Sequence, residues 1–342
     1  MRRLAPQWNV LPVAALLAVL SVRASSSLAA DEAAAVALVD DIPAAVQLAA
    51  PATGQTLYVL DGASGGVTAV DPFQPPRRWT AIGPEALVAR TAEEGGIARA
   101  VAIACIDSNT LALVLRSGKP GNWSVGTYRL APPGSTQQAA VRLQTLPLGT
   151  SAAESEAVRL VVSPSREWLA VVGLPAPMPV IVRAPIAGSR IGTFAERRCP
   201  KVPPPGRPVG ATISPGDEEW VLFLREDVGG KGPVFLSFYG NAGGRELLHL
   251  DTGLTVVRGA GYCRESGTLW TVGLRDEGSS RAAGLWRIDA ILKDGRQAAR
   301  GVHVAAIEDP LSVVCLSRRA IAVIAGGADR RVLLIDPTAT AK

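Results

Sequence analysis

Apolar residues in this chain fall into short runs separated by tight polar turns, and the arrangement repeats. Its copies read TLYVLDGASGGVTAVDP from Thr56, CIDSNTLALVLRSGKPGNWSVGTYRL from Cys105 and SPSREWLAVVGLPAPMPVIVRAP from Ser163. They continue as SPGDEEWVLFLREDVGGKGPVFLSFYG from Ser214, CRESGTLWTVGLRDEGSSRAAGLWRIDA from Cys263 and CLSRRAIAVIAGGADRRVLLIDP from Cys315. The turn-opening residues Cys105, Ser163, Ser214, Cys263 and Cys315 are spaced by 58, 51, 49 and 52, and Pro51 holds the equivalent place in the first copy. Each copy predicts strand, turn, strand, loop, strand, because its segments are short, rich in Val, Ile and Leu, and bounded by turn formers. In 163–165 (SPS) and 214–217 (SPGD), Pro presets φ while Gly and Asp tolerate the bend. RWTAI at 78–82 and ELLHL at 246–250 predict a fourth strand in the stretches between copies.

Six units of 52 residues account for the 312 residues that follow position 30. Four-stranded units of that length predict a single all-β domain over 31–342, a β-propeller with six blades in preference to seven. Each small sheet would bury its faces only against its neighbours, so radial stacking supplies the core. A β-sandwich array is the competing architecture and needs no such regular period. The last copy ends at Asp336-Pro337, leaving five residues, too few for an outer strand. The segment 33–39 (AAAVALV) is therefore expected to supply that strand and lock the ring, ahead of an inner strand near 44–50. An Ala-rich surface helix is the alternative.

The copies resemble the WD40 and YVTN class of propeller repeat. In that class a Ser-Pro-Asp-Gly-type turn joins the first two strands, and an Asp often closes the third. Ser214-Pro215-Gly216-Asp217 approximates the turn, while Asp71-Pro72, Asp289 and Asp336-Pro337 supply the closing Asp. The resemblance covers nearly all of 44–337 but lacks the paired Gly-His and Trp-Asp marks of WD40 repeats. It implies a fold and carries almost no functional weight.

Composition agrees with that architecture: 48% hydrophobic and 19% charged, with 35 Gly and 26 Pro, excludes a disordered chain and a helix bundle. The formal charge of +5 suggests nucleic acid until its location is considered. Residues 1–30 contain no Asp or Glu, and place Arg2 and Arg3 before an apolar stretch at 10–22 and a small-residue tail ending at Ala29 or Ala30. That layout predicts a cleaved secretory signal peptide, and thirteen apolar residues are too few to span a bilayer. Without Arg2, Arg3 and Arg23 the 35 basic residues become 32, against 30 acidic, a net charge of +2. The expectation is a secreted or periplasmic protein, with no transmembrane segment in the mature chain and no nucleic-acid partner.

Candidate chemistry is sparse. His249 and His303 are the only histidines and do not share metal-ligand spacing, and no Gly-x-Ser-x-Gly elbow occurs. Cys105, Cys199, Cys263 and Cys315 allow three disulfide pairings, of which Cys263 with Cys315 would join neighbouring blades. Buried free thiols acting as small hydrophobes are the alternative. Arg116, Arg225 and Arg275 each follow Leu just after a second strand, so three guanidinium groups on one rim are candidate ligands for a carboxylate, phosphate or sulfated sugar. Glu226, Asp227, Asp276 and Glu277 adjoin two of them and compete for that charge. Glu154, Glu156, Asp251, Glu308 and Asp309 approach the innermost strands, where six-bladed lactonase and esterase propellers hold Ca²⁺. Those sites also use Asn, and Asn109, Asn122 and Asn241 are not at equivalent points.

The expected function is an exported, monomeric binding scaffold whose rim loops take a protein, peptide or anionic cell-surface ligand, with no cofactor and no metal. The alternative is a calcium-dependent lactonase or esterase.

Overall fold

The computed structural model describes residues 35–74, 77–87, 98–118, 121–131, 140–153, 155, 158–163, 165–175, 181–196, 206–213, 219–226, 234–240, 246–263, 265–277, 280–293, 296–327 and 329–338. The signal-peptide segment 1–30, and with it Glu154, Glu156, Asp227 and Cys199, lies outside them.

Among the described residues the strands form six antiparallel sheets. β1 (Ala35–Asp41) stands apart in sequence from its sheet. The first sheet runs β2 (Ala45–Ala49), β3 (Leu57–Asp61), β4 (Val67–Val70) and β5 (Arg78–Ile82). The second runs β6 (Arg99–Asp107), β7 (Thr110–Ser117), β8 (Gly121–Arg129) and β9 (Val141–Ser151). The third has β10 (Arg159–Val162), β11 (Trp168–Val172) and β12 (Ile181–Ala187), with the short β13 (Arg190–Ile191) and β14 (Ala195–Glu196) both pairing β12. The fourth is β15 (Gly206–Ile213), β16 (Glu219–Glu226), β17 (Val234–Gly240) and β18 (Glu246–Leu254). The fifth is β19 (Val256–Tyr262), β20 (Leu269–Glu277), β21 (Ser280–Lys293) and β22 (Arg296–Ala306). The last comprises β23 (Ser312–Ser317), β24 (Ala320–Ala325) and β25 (Arg331–Asp336), with β1 as its outer strand.

First strands of successive sheets lie against one another, and β23 touches β2, so the sheets close into a ring. Second strands are sandwiched between neighbouring sheets. All six residues of β24 are buried, whereas β9 on the outside is mostly exposed or half-buried. This explains why second strands read as unbroken apolar runs (LALVL, WLAVV, AIAVIA) instead of alternating: both faces meet protein. The core is accordingly divided into clusters between adjacent sheets. Leu60, Ile103, Leu113 and Tyr128 join the first to the second, and Val114, Trp123, Leu169 and Val171 the second to the third.

The segment after position 34 is a strand, not a helix. β1 pairs β25 antiparallel from Ala35↔Asp336 to Asp41↔Arg331, with a bulge between Leu38 and Asp40. Val39 is buried in the cluster that joins the last sheet to the first. The Asp residues that close third strands have a local cause. Asp71 accepts hydrogen bonds from the Phe73 and Gln74 amides at 2.9 and 3.1 Å, and Asp336 from the Thr338 amide at 2.9 Å. These are Asx turns, which redirect the chain where the strand must stop. Asp289, expected to close its strand, does not: β21 runs on to Lys293, and the carboxylate forms a two-pronged ion pair with Arg287 at 2.8 and 2.9 Å.

Candidate functional site

The innermost strands leave one edge unpaired toward the ring axis, and unpaired backbone groups there need partners. Gln47 on β2 supplies them. Its amide donates to Val101 O at 3.2 Å and to Val158 O at 3.0 Å, and its carbonyl accepts from Ile103 N at 3.4 Å. One side chain thus ties the first, second and third sheets. Arg159, opening β10, donates to Arg258 O on β19 at 2.5 Å and so spans from the third sheet to the fifth. Ser312 on β23 accepts from Leu48 N at 3.1 Å, joining the last sheet to the first. The axis is bridged by hydrogen bonds.

Arginine dominates the face where chains enter the innermost strands. Arg99, Arg159, Arg207 and Arg258 stand near the starts of β6, β10, β15 and β19, at spacings of 60, 48 and 51. Those spacings follow the repeat period, so the sequence itself carries the signal. The register places the rim arginines beside them: Arg99 is opposite Arg116 and Arg207 opposite Arg225. Arg275 extends β20 one residue past Leu274, which pairs with Val256 at the start of β19. All three rim arginines therefore lie on this one face.

Their local engagements differ from a ring of guanidinium groups turned toward one ligand. Arg116 donates to Ala152 O at 3.2 Å and lies over the Trp123 ring at 5.9 Å. Arg275 donates to Gly253 O at 3.1 Å and Gly301 O at 2.6 Å, and covers Trp286 at 4.4 Å. Each packs on an aromatic ring of its own sheet, as a planar cation over a π face does. Arg225 is placed by backbone register alone. Arg99 is exposed and reaches Gly62 O across the boundary between the first two sheets. Arg258 pairs with Asp309, across the boundary between the last two.

Among the described residues, the acidic candidates Asp251, Glu308 and Asp309 are each engaged locally. Asp251 caps the Gly253 amide at 2.8 Å, Asp309 is taken up by Arg258, and the Glu308 backbone carbonyl accepts from Gly326 N at 3.1 Å. Among the described residues no three His, Cys, Asp or Glu side chains group to hold a metal ion, and no helix is long and apolar enough to cross a membrane. His303 lies against Trp286 with ring centroids 4.6 Å apart and the planes tilted by 54°. His249 is placed on β18 opposite Ser237.

No family model matches this chain, and no curated protein does. Solved structures are similar in shape. A glucose dehydrogenase gives a TM-score of 0.52 at 15% identity, covering 88% of this chain and 99% of its own. A luciferin-regenerating enzyme gives 0.50 at 12% identity, covering 89% and 95%. The hydrazine synthase of Kuenenia stuttgartiensis gives 0.50 at 12%, covering 84% and 78%. The chain is a β-propeller. At such identities the likeness extends to the fold of the propeller and to none of the neighbours' chemistry.

Proposed function

We propose that this chain is a six-bladed propeller, exported by its N-terminal signal, that serves as a binding scaffold for an anionic ligand on its arginine-rich entry face. The observation that carries the reading is the register of Arg99 with Arg116 and of Arg207 with Arg225. With Arg159, Arg258 and Arg275 these make guanidinium-bearing positions from four successive blades on one face of a nearly neutral mature chain. Guanidinium is weakly hydrated and matches carboxylate, phosphate and sulfate in a fork geometry, which suits a polyanionic peptide or sugar.

The test uses heparin and a poly-glutamate peptide as probes. The protein should be retained on both at low salt and released as salt rises, because exposed charge attraction is screened. Substituting Arg99, Arg207 and Arg225 together by Gln should abolish retention while leaving the melting temperature within a few degrees. Equal retention by the variant sinks the reading.

A calcium-dependent lactonase or esterase is the second reading, favoured by the enzymes among propellers of this shape. A resident Ca²⁺ must stabilise the native state by mass action. Identical melting in EDTA and in millimolar Ca²⁺ eliminates that reading. A calcium-dependent rise with hydrolysis of an aryl ester would replace the scaffold with the enzyme.

A further inference from the structure

The inner strands of the fifth and last blades lie against each other, and two glycines on β19 face that contact. A Cβ at Gly259 on β19 would lie 3.2 Å from both Ser312 Cα and Val313 N of β23, tighter than ordinary contact. A Cβ at Gly261 would lie 4.0 Å from Val313 O. Side chains alternate along a strand, so Gly259, Gly261 and the following Cys263 share the side turned to β23. Ala260 and Tyr262, on the other side, pack against the fourth blade. On β23 the same alternation holds. Ser312 bonds toward β2 and Val314 packs toward the first blade, whereas Val313 and Cys315 pack with Cys263. Two thiols, 52 residues apart in sequence, are thereby aimed at each other from neighbouring blades.

Both cysteines are free, Cys263 fully buried and Cys315 half-buried. The Cys315 thiol donates to Ser317 O at 3.2 Å, and the two sulfurs interact directly. We propose that Cys263 and Cys315 are a redox pair, closing a disulfide between the fifth and last blades by exchange with a disulfide-bearing oxidant.

The step balances. The pair carries one thiolate, at Cys263, after losing a proton to water, and Cys315 keeps its proton. Passing its proton to the Cys263 thiolate, the half-buried Cys315 sulfur attacks one sulfur of the oxidant and expels the other, which takes up a proton as a thiol. Cys263 then loses its proton, attacks Cys315 Sγ, and expels the second thiol. Two protein thiols become one disulfide, and one external disulfide becomes two thiols. The hydrogen bond with Cys315, opposed by burial and aided by Ser266 and by the Ser266 and Glu265 backbone, lowers the Cys263 thiol to about 6. The same bond, with burial adding to it, raises Cys315. The first proton thus leaves readily at neutral pH, and the Cys263 thiolate is the base that takes the proton from Cys315. Because the last blade contains both ends of the ring, the bond would staple the closing seam to the blade before it.

The test uses the full chain with Cys105→Ser and Cys199→Ser, so that only this pair remains, exposed to oxidised glutathione. Expected are a denatured mass lower by two hydrogens, a cross-linked peptide joining 263 to 315, and a melting temperature raised by several degrees that dithiothreitol reverses. With Cys263→Ser added, glutathione should stay attached at Cys315. The proposal is overturned if both thiols of the parent remain open to maleimide after oxidation and denaturation. It is equally overturned if glutathione adducts accumulate on the parent without a cross-linked peptide. Neither outcome depends on the anion-binding reading.

Discussion

Gln47 does at the axis what a sheet partner does elsewhere: it gives three edge groups of neighbouring blades their hydrogen bonds. Gln47→Leu keeps the volume and removes the polarity, leaving Val101 O, Ile103 N and Val158 O without that partner. Each buried group left unsatisfied costs about 1–3 kcal/mol, so thermal denaturation should show a melting point several degrees lower. A change within one degree would show that water replaces the amide. A second residue-scale effect appears at alkaline pH. Burial pushes up the Tyr58 hydroxyl, with Cys105 and Asp107 adding to it, and burial then Asp107 push up the Cys105 thiol. Both are neutral in the fold. Their contribution is therefore complete below the ordinary values of 9.0 for Cys and 10.0 for Tyr, and fades as pH climbs toward the raised ones. Melting temperature should fall steadily above those values, and Tyr58→Phe should flatten the upper part of the decline.

At the scale of elements, β1 carries more than its composition suggests. An alanine-rich stretch has helix propensity, yet here it pairs with β25 because an otherwise open edge accepts its backbone bonds. Burial of Val39 and Ile42, with the Ile42 amide bonded to Arg330 O at 3.1 Å, anchors it. Full burial of those two side chains alone is worth roughly 3–6 kcal/mol. A chain beginning at Pro43 should lose its cooperative transition and associate with itself through β25, visible by calorimetry and light scattering. Adding a peptide of residues 35–42 should restore the monomer. Monomeric behaviour without the peptide would show the edge to be protected by other means. The second strands were easily legible, since burial on both faces leaves continuous apolar runs. The third blade was less so: its outer position is shared by β13 and β14, two residues each, too short for any periodicity to register.

Across the whole molecule, the repeat was legible because each blade solves the same packing problem and so reuses the same pattern of turns and apolar runs. The charge pattern was legible only in part. Arg116 and Arg275 were visible from their place after Leu, but their engagement with Trp123 and Trp286 depends on the register of the next strand in each sheet. Arg99, Arg159, Arg207 and Arg258 carry the repeat period themselves, yet their neighbourhood with the rim arginines is a matter of strand register. The apolar and turn patterns by themselves determined an all-β chain of repeating four-stranded units, since strand formation and turning are local and each copy states them again. Only the tertiary structure decided which side chains meet across the axis and between blades. Gln47 against Val158 and Arg159 against Arg258 are separated by 111 and 99 residues. Such encounters are set by how a closed ring brings its inner edges together, which no local pattern records.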